Sequence, residues 1–84
     1  MRLLVFEGNT WEKYEAMKAG NKDNYRTLCK VLQSLIQGDV TSGLERTEQL
    51  QYNMDDLWSK TISKTERVIY KFDDEYIYVF AIGG

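Results

Sequence analysis

The apolar residues near the start of the chain fall first in a run and then at helical spacing. The run from Arg2 to Phe6 is nearly continuous, which predicts a short β-strand. Asn9 belongs to the residue types that cap helices and is followed three residues later by a glutamate, so a first helix is predicted from there to Gly20. The chain is therefore expected to begin with a strand and a helix.

A second helix is predicted by the clearest period in the sequence. Its apolar residues recur three and four positions apart in one stripe, made of Leu28, Val31, Leu32, Leu35 and Ile36. Asp23 is predicted to cap its N-terminus, and Gly38 to follow its C-terminus. We interpret the stripe as core rather than as a groove for a partner, and residues 38–47 are predicted to form a polar loop.

The remaining chain is predicted to form strands. Three segments, 57–62, 67–72 and 76–82, are rich in β-branched and aromatic residues, and a short acidic turn makes the last two an antiparallel hairpin. One face of the middle segment is mixed and carries Arg67, Ile69 and Lys71. The expected fold is α+β, with two N-terminal helices packed on a mainly antiparallel four-stranded sheet in one domain, 1–84.

Composition narrows the possible chemistry. The 84 residues include no histidine and a single cysteine, Cys29, so a Ser-His-Asp triad, a Cys-His pair, a His-based zinc site and an internal disulfide are excluded within them. Gly-rich phosphate loops do not occur either, and no cofactor or metal ion is expected. No signal peptide or membrane-spanning run is predicted, and the cysteine usage fits a cytoplasmic protein.

One constellation of polar residues remains as a candidate site. Glu48 lies at the end of the predicted loop, Lys60 and Thr61 lie on the next strand, and Arg67 begins the strand after it. Adjacent strands lie about 4.8 Å apart, so these groups are expected to converge on one side of the sheet. A carboxylate that takes a proton, beside cations that hold developing charge, suits phosphodiester chemistry. A surface salt-bridge network remains the alternative interpretation.

The stretch 48–70 carries residues at the spacings of a known toxin family. They are Glu48, Leu50, Asn53, Trp58, Ser59, Arg67 and Tyr70. Near the N-terminus, Trp11, Glu12 and Tyr14 are similar to the Trp-Asp-Asp-Tyr motif of the same family. On these residues the chain resembles the YoeB (Txe) toxins of the RelE superfamily.

The resemblance implies an activity, a set of site residues and partners. These toxins are ribonucleases that act on mRNA in the ribosomal A site, where the RNA's own 2′-hydroxyl attacks the adjacent phosphate. Glu48 matches the general base and Arg67 the residue that stabilises the phosphate, while Lys60, Thr61 and Gln51 match RNA-binding positions. The implied partners are the ribosome with its mRNA, a YefM-like antitoxin, and operator DNA through the antitoxin complex. A homodimer is left open.

The chain departs from the family pattern at three places. Two arginines of the family are Lys60 and Thr61 here, and a family lysine is Gln51. The family's His-Tyr pair, whose histidine is the general acid, would come directly after Gly84. We therefore expect the 84-residue species to be inactive or much weakened, with a loss of about 10²–10⁴-fold in rate. The alternative explanation is that a tail with this pair follows Gly84. The alternative function is a non-catalytic antitoxin-binding module, which the net charge of −2 favours, because ribosome binders are usually basic.

Overall fold

Seven elements of secondary structure make up the protein. The computed structural model describes residues 1–40, 47–50 and 57–83, of which 47–50 are described by their backbone alone. In chain order the elements are β1 (Leu3–Phe6), α1 (Thr10–Gly20), α2 (Lys22–Ile36), β2 (Thr47–Leu50), β3 (Leu57–Thr61), β4 (Arg67–Phe72) and β5 (Tyr76–Gly83). Neither helix in these ranges is long and apolar enough to cross a membrane.

The five strands form one sheet in the order β1-β5-β4-β3-β2. The pairs β2–β3, β3–β4 and β4–β5 are antiparallel, while β1 runs parallel to β5 at the edge. The predicted α+β class and mainly antiparallel sheet are confirmed. The sheet has one strand more than predicted, because Thr47–Leu50 pairs along β3 at the far edge. A strand at the edge of a sheet needs fewer apolar residues than an inner strand. The only apolar residue of β2 is Leu50.

The two helices meet at a single asparagine. α1 ends at Gly20 as predicted, and α2 begins directly after Asn21, whose side-chain Oδ1 accepts a hydrogen bond from the backbone amide of Asn24 at 3.1 Å. The predicted cap at Asp23 is wrong, because the helix starts earlier and Asp23 lies in its first turn. At the other end of α1, Asn9 occupies the cap position without a capping bond from its side chain.

The core lies between α2 and one face of the sheet. The α2 stripe is buried as predicted, through Leu28, Val31, Leu32 and Leu35. It packs in one cluster with buried strand residues, which include Val68, Tyr70, Ile77, Val79 and Ile82. Alternation along the strands then leaves every second side chain on the opposite side. We call the side that faces the helices the inner face and the other side the outer face.

Candidate functional site

Arg67 and Thr61 lie side by side on the outer face. They are directly opposite each other in the β3–β4 register, so their side chains point to the same side of the sheet. Arg67 is exposed and Thr61 is half-buried. On the other flank Arg67 is opposite Gly83 of β5, which has no side chain. The Glu66 carboxylate lies beside this glycine, 3.5 Å from where a Cβ on Gly83 would be. Because Arg67 itself is exposed, its guanidinium can still meet an anion in solution.

Glu48 enters the site through the backbone register of β2. It is paired with Ser59, and Ser59 is paired in turn with Ile69 on β4. The row of Glu48 thus lies two residues along the strands from the row of Arg67. Two strand spacings separate the two backbones by roughly 10 Å, and two residues along a strand add about 7 Å. The two backbones are therefore about 12 Å apart.

Lys60 does not join these residues, and its predicted place beside them is wrong. It is opposite Val68, a core residue, so it belongs to the inner face, and its side chain is completely buried. Its Nζ donates hydrogen bonds to the backbone oxygen of Asp39 at 2.9 Å and to Ser34 Oγ at 3.3 Å. The reason is alternation, because neighbours on one strand point to opposite faces. Lys60 fastens the end of α2 to the sheet.

Lys60 gives a prediction for stability at alkaline pH. Burial lowers the pKa of its amine, and the charge of Asp39 opposes that effect. A group whose pKa is lower in the folded state stabilises the fold above its unfolded-state pKa of about 10.5 and loses that contribution as pH falls through the folded value. The free energy of unfolding of the wild type, minus that of Lys60→Met, should therefore rise as pH is raised towards that value.

Urea unfolding of both proteins over an alkaline pH series measures this difference. Subtracting the variant removes every pH-dependent contribution that the two proteins share. A difference that stays flat or falls with pH would contradict the buried, pKa-lowered state of Lys60.

The N-terminal aromatic motif packs within the fold. The rings of Trp11 and Tyr14 are stacked 5.2 Å apart on α1, and both rings contact Phe6 of β1. Tyr14 also shares a hydroxyl–hydroxyl hydrogen bond with Tyr25 of α2 at 3.1 Å. These contacts tie α1 to the edge of the sheet and to the second helix. The motif therefore stabilises the packing of the helices, and it is separate from the outer-face residues.

Reasoning from the sequence missed an aromatic group on the outer face. Tyr76, Tyr78 and Phe80 of β5 lie on the same side as Arg67, and Lys71 of β4 lies over two of their rings. The signal was present as aromatic residues at every second position. Gln51 falls outside the described residues.

Comparison with known proteins gives a consistent result over nearly the whole chain. The profile of a family described as "YoeB-like toxin of bacterial type II toxin-antitoxin system" matches residues 6–83. Toxin YoeB of Mycobacterium bovis is 27% identical over 77 residues, which cover 92% of this chain and 89% of that protein. Toxin RelK of Mycobacterium tuberculosis is similar to the same extent.

Solved structures with a similar fold include two from Staphylococcus aureus. The YoeB dimer from Staphylococcus aureus superposes with a TM-score of 0.89 at 20% identity, covering 99% of this chain and 95% of that one. A YoeB–YefM complex from Staphylococcus aureus gives a TM-score of 0.87 at 24% identity, covering 100% and 98%. At these identities the superpositions establish the fold.

Proposed function

Because the chain belongs to the family of YoeB-like toxins of bacterial type II toxin–antitoxin systems, we propose that it is an endoribonuclease that cuts mRNA on the ribosome. One observation carries this proposal: an exposed arginine lies on the outer face beside Thr61, and the row of Glu48 lies within reach across the sheet. An acceptor for a proton and a fixed cation are the groups that RNA cleavage requires of a protein.

The proposed reaction uses these residues in order. The Glu48 carboxylate takes the proton of a 2′-hydroxyl, and the freed oxygen forms a bond to the adjacent phosphorus. The bond from phosphorus to the 5′ oxygen breaks, which leaves a 2′,3′-cyclic phosphate and a 5′-hydroxyl. Arg67 makes a bidentate contact with the phosphate oxygens and stabilises the charge that develops on them. Thr61 contacts the same RNA strand. In the resembling family the departing oxygen receives its proton from the histidine of the His-Tyr pair. The 84 residues here contain no histidine, so in the proposed reaction a water molecule gives that proton to the 5′ oxygen.

The proposed partners follow from the family. A toxin of this type needs an antitoxin, and the structurally similar Staphylococcus aureus protein has been solved as a YoeB–YefM complex and as a dimer. We propose a YefM-like antitoxin as the partner of this chain. Sedimentation measures whether the chain also forms a homodimer. The ribosome positions the mRNA, and operator DNA is reached through the antitoxin complex.

A non-catalytic module that only binds an antitoxin is the second candidate. The net charge of −2 favours it, and so does the interior position of Lys60, which removes one cation from the outer face. Nucleic-acid binding usually draws on several cations at the surface. The two candidates differ in one measurable property, which is cleavage of RNA.

A reconstituted translation reaction tests the proposal. Purified chain is added in excess over ribosomes, and primer extension maps new mRNA ends. New ends should appear only when ribosomes are present and should disappear when the cognate antitoxin is added first. Absence of new ends, together with tight binding of the antitoxin, would replace the ribonuclease proposal with the second candidate.

A further inference from the structure

Three aromatic side chains form a row on the outer face of β5. Tyr76, Tyr78 and Phe80 alternate with the buried Ile77 and Val79, and the rings of Tyr76 and Tyr78 lie 5.9 Å apart. We call these three residues the aromatic row. They lie on the side of the sheet away from the helices, so they contribute little to the core. Phe80 is 41% exposed, which is unusual for a phenylalanine on a central strand.

A β-bulge lies at Phe80. Across the β4–β5 ladder, Ile69 is opposite Ala81 and Tyr70 is opposite Val79, so Phe80 is an extra residue with no opposite partner. Phe80 is on the outer face by simple alternation from Tyr76 and Tyr78, and the bulge shifts the residues after it, which brings Gly83 opposite Arg67. Bulges are common beside functional sites.

Lys71 lies on the same face as the aromatic row and as Arg67, the proposed catalytic cation. Its Nζ lies 5.9 Å from the Tyr78 ring centre and 5.7 Å from the Phe80 ring centre, within cation–π range of both. Lys71 and Arg67 are on the same face of β4, about 13 Å apart along the strand. The outer face therefore presents two cations with aromatic rings beside one of them.

Acidic residues limit this surface at its far end. The hydroxyl of Tyr78 donates a hydrogen bond to the Asp73 carboxylate at 3.1 Å, which orients the ring. Hydrogen bonds from the backbone amides of Glu75 and Tyr76 lower the pKa of Asp73, so this carboxylate stays charged. Arg2 also lies at this end, where its Nε donates a hydrogen bond to the backbone oxygen of Asp73 at 2.6 Å and offsets part of the negative charge. A polyanion is therefore attracted most strongly along the path between Arg67 and Lys71.

From this arrangement we infer that the aromatic row is a base-stacking platform, on which single-stranded RNA lays its bases against Phe80 and Tyr78 while Lys71 contacts its backbone. Aromatic side chains beside cations on an exposed sheet face are the usual way in which proteins hold unpaired bases. The inference rests on the proposed function and specifies where the RNA beside the cleaved phosphate is bound.

Binding of an uncleavable RNA tests the platform separately from catalysis. The probe is a short fluorescent single-stranded RNA with 2′-O-methyl groups, measured by anisotropy at low salt. Phe80→Leu and Tyr78→Leu should each weaken binding by roughly five- to 100-fold, since one stacked base contributes about 1–3 kcal/mol. Phe80→Tyr and Tyr78→Phe keep the rings and should bind as the wild type does.

Two further controls separate stacking from other causes. Leu3→Ser removes another exposed apolar side chain from the outer face, where Leu3 is opposite Tyr76, and should leave RNA binding unchanged. An abasic strand of the same length carries the phosphates without bases and should bind clearly more weakly. Thermal unfolding of each variant confirms that it is folded.

The outcomes are distinct. No RNA binding, equal binding of the abasic strand, or wild-type binding by both leucine variants would overturn the platform. Sedimentation that shows a dimer broken by Phe80→Leu would assign the aromatic row to contact between copies instead. Ring-dependent binding without mRNA cleavage in the translation reaction would keep the platform and remove the ribonuclease proposal. Cleavage with ring-independent binding would do the reverse.

Discussion

Replacing Glu48 with glutamine is expected to slow mRNA cleavage by about 10²–10⁴-fold, the usual contribution of a general base. Glutamine has the same size and keeps hydrogen-bonding capacity, so the edge pairing of β2 with β3 should survive. It cannot take a proton from the 2′-hydroxyl. The single-turnover rate in the translation reaction measures this loss.

A nearby carboxylate provides the matched control for this change. Glu66 directly precedes Arg67 and is half-buried, but it precedes β4 and lies outside the row of Glu48. Glu66→Gln removes the same charge from a residue that directly precedes Arg67 in the chain, and cleavage should continue at the wild-type rate. If Glu48→Gln kept the wild-type rate, another group would have to be the base.

Periodic burial explains which elements were predictable. The α2 stripe was predicted because its apolar residues follow the helical period. The hairpin of β4 and β5 was predicted because both segments are rich in β-branched and aromatic residues and flank a short acidic turn. β2 was not, since a polar edge strand is held by backbone pairing to β3 and not by its own side chains. The position of β2 is therefore determined by its pairing with β3.

Face assignment explains what was and was not predictable of the site. Arg67 was placed correctly on a mixed face because β4 alternates cleanly between buried and accessible residues. Lys60 was misplaced because β3 shows no such alternation, and only its pairing with Val68 reveals the face. Phe80 was missed although its position was readable, because aromatic residues at every second position of β5 already share one face. For Lys60, in contrast, the deciding fact is a register between two strands.

The second large effect is expected from Arg67→Ala, which should slow cleavage by about 10²–10³-fold through loss of transition-state charge stabilisation. The side chain is exposed and opposite a glycine, so the free energy of unfolding should change by no more than about 0.5 kcal/mol. Binding of the antitoxin should persist. Rate measurement in the translation reaction, with thermal unfolding alongside, checks all three statements.

Two further variants separate the effect of the planar geometry of the Arg67 side chain from the effect of its charge. Arg67→Lys keeps the charge but not the planar fork, so it should recover only part of the lost rate. Lys64→Ala removes an exposed cation from the turn before β4 and should leave the rate unchanged. Equal losses from Lys64→Ala and Arg67→Ala would mean that the RNA responds only to overall charge. Full recovery by Arg67→Lys would mean that a point charge suffices, and bidentate contact with the phosphate would then have no part in the reaction.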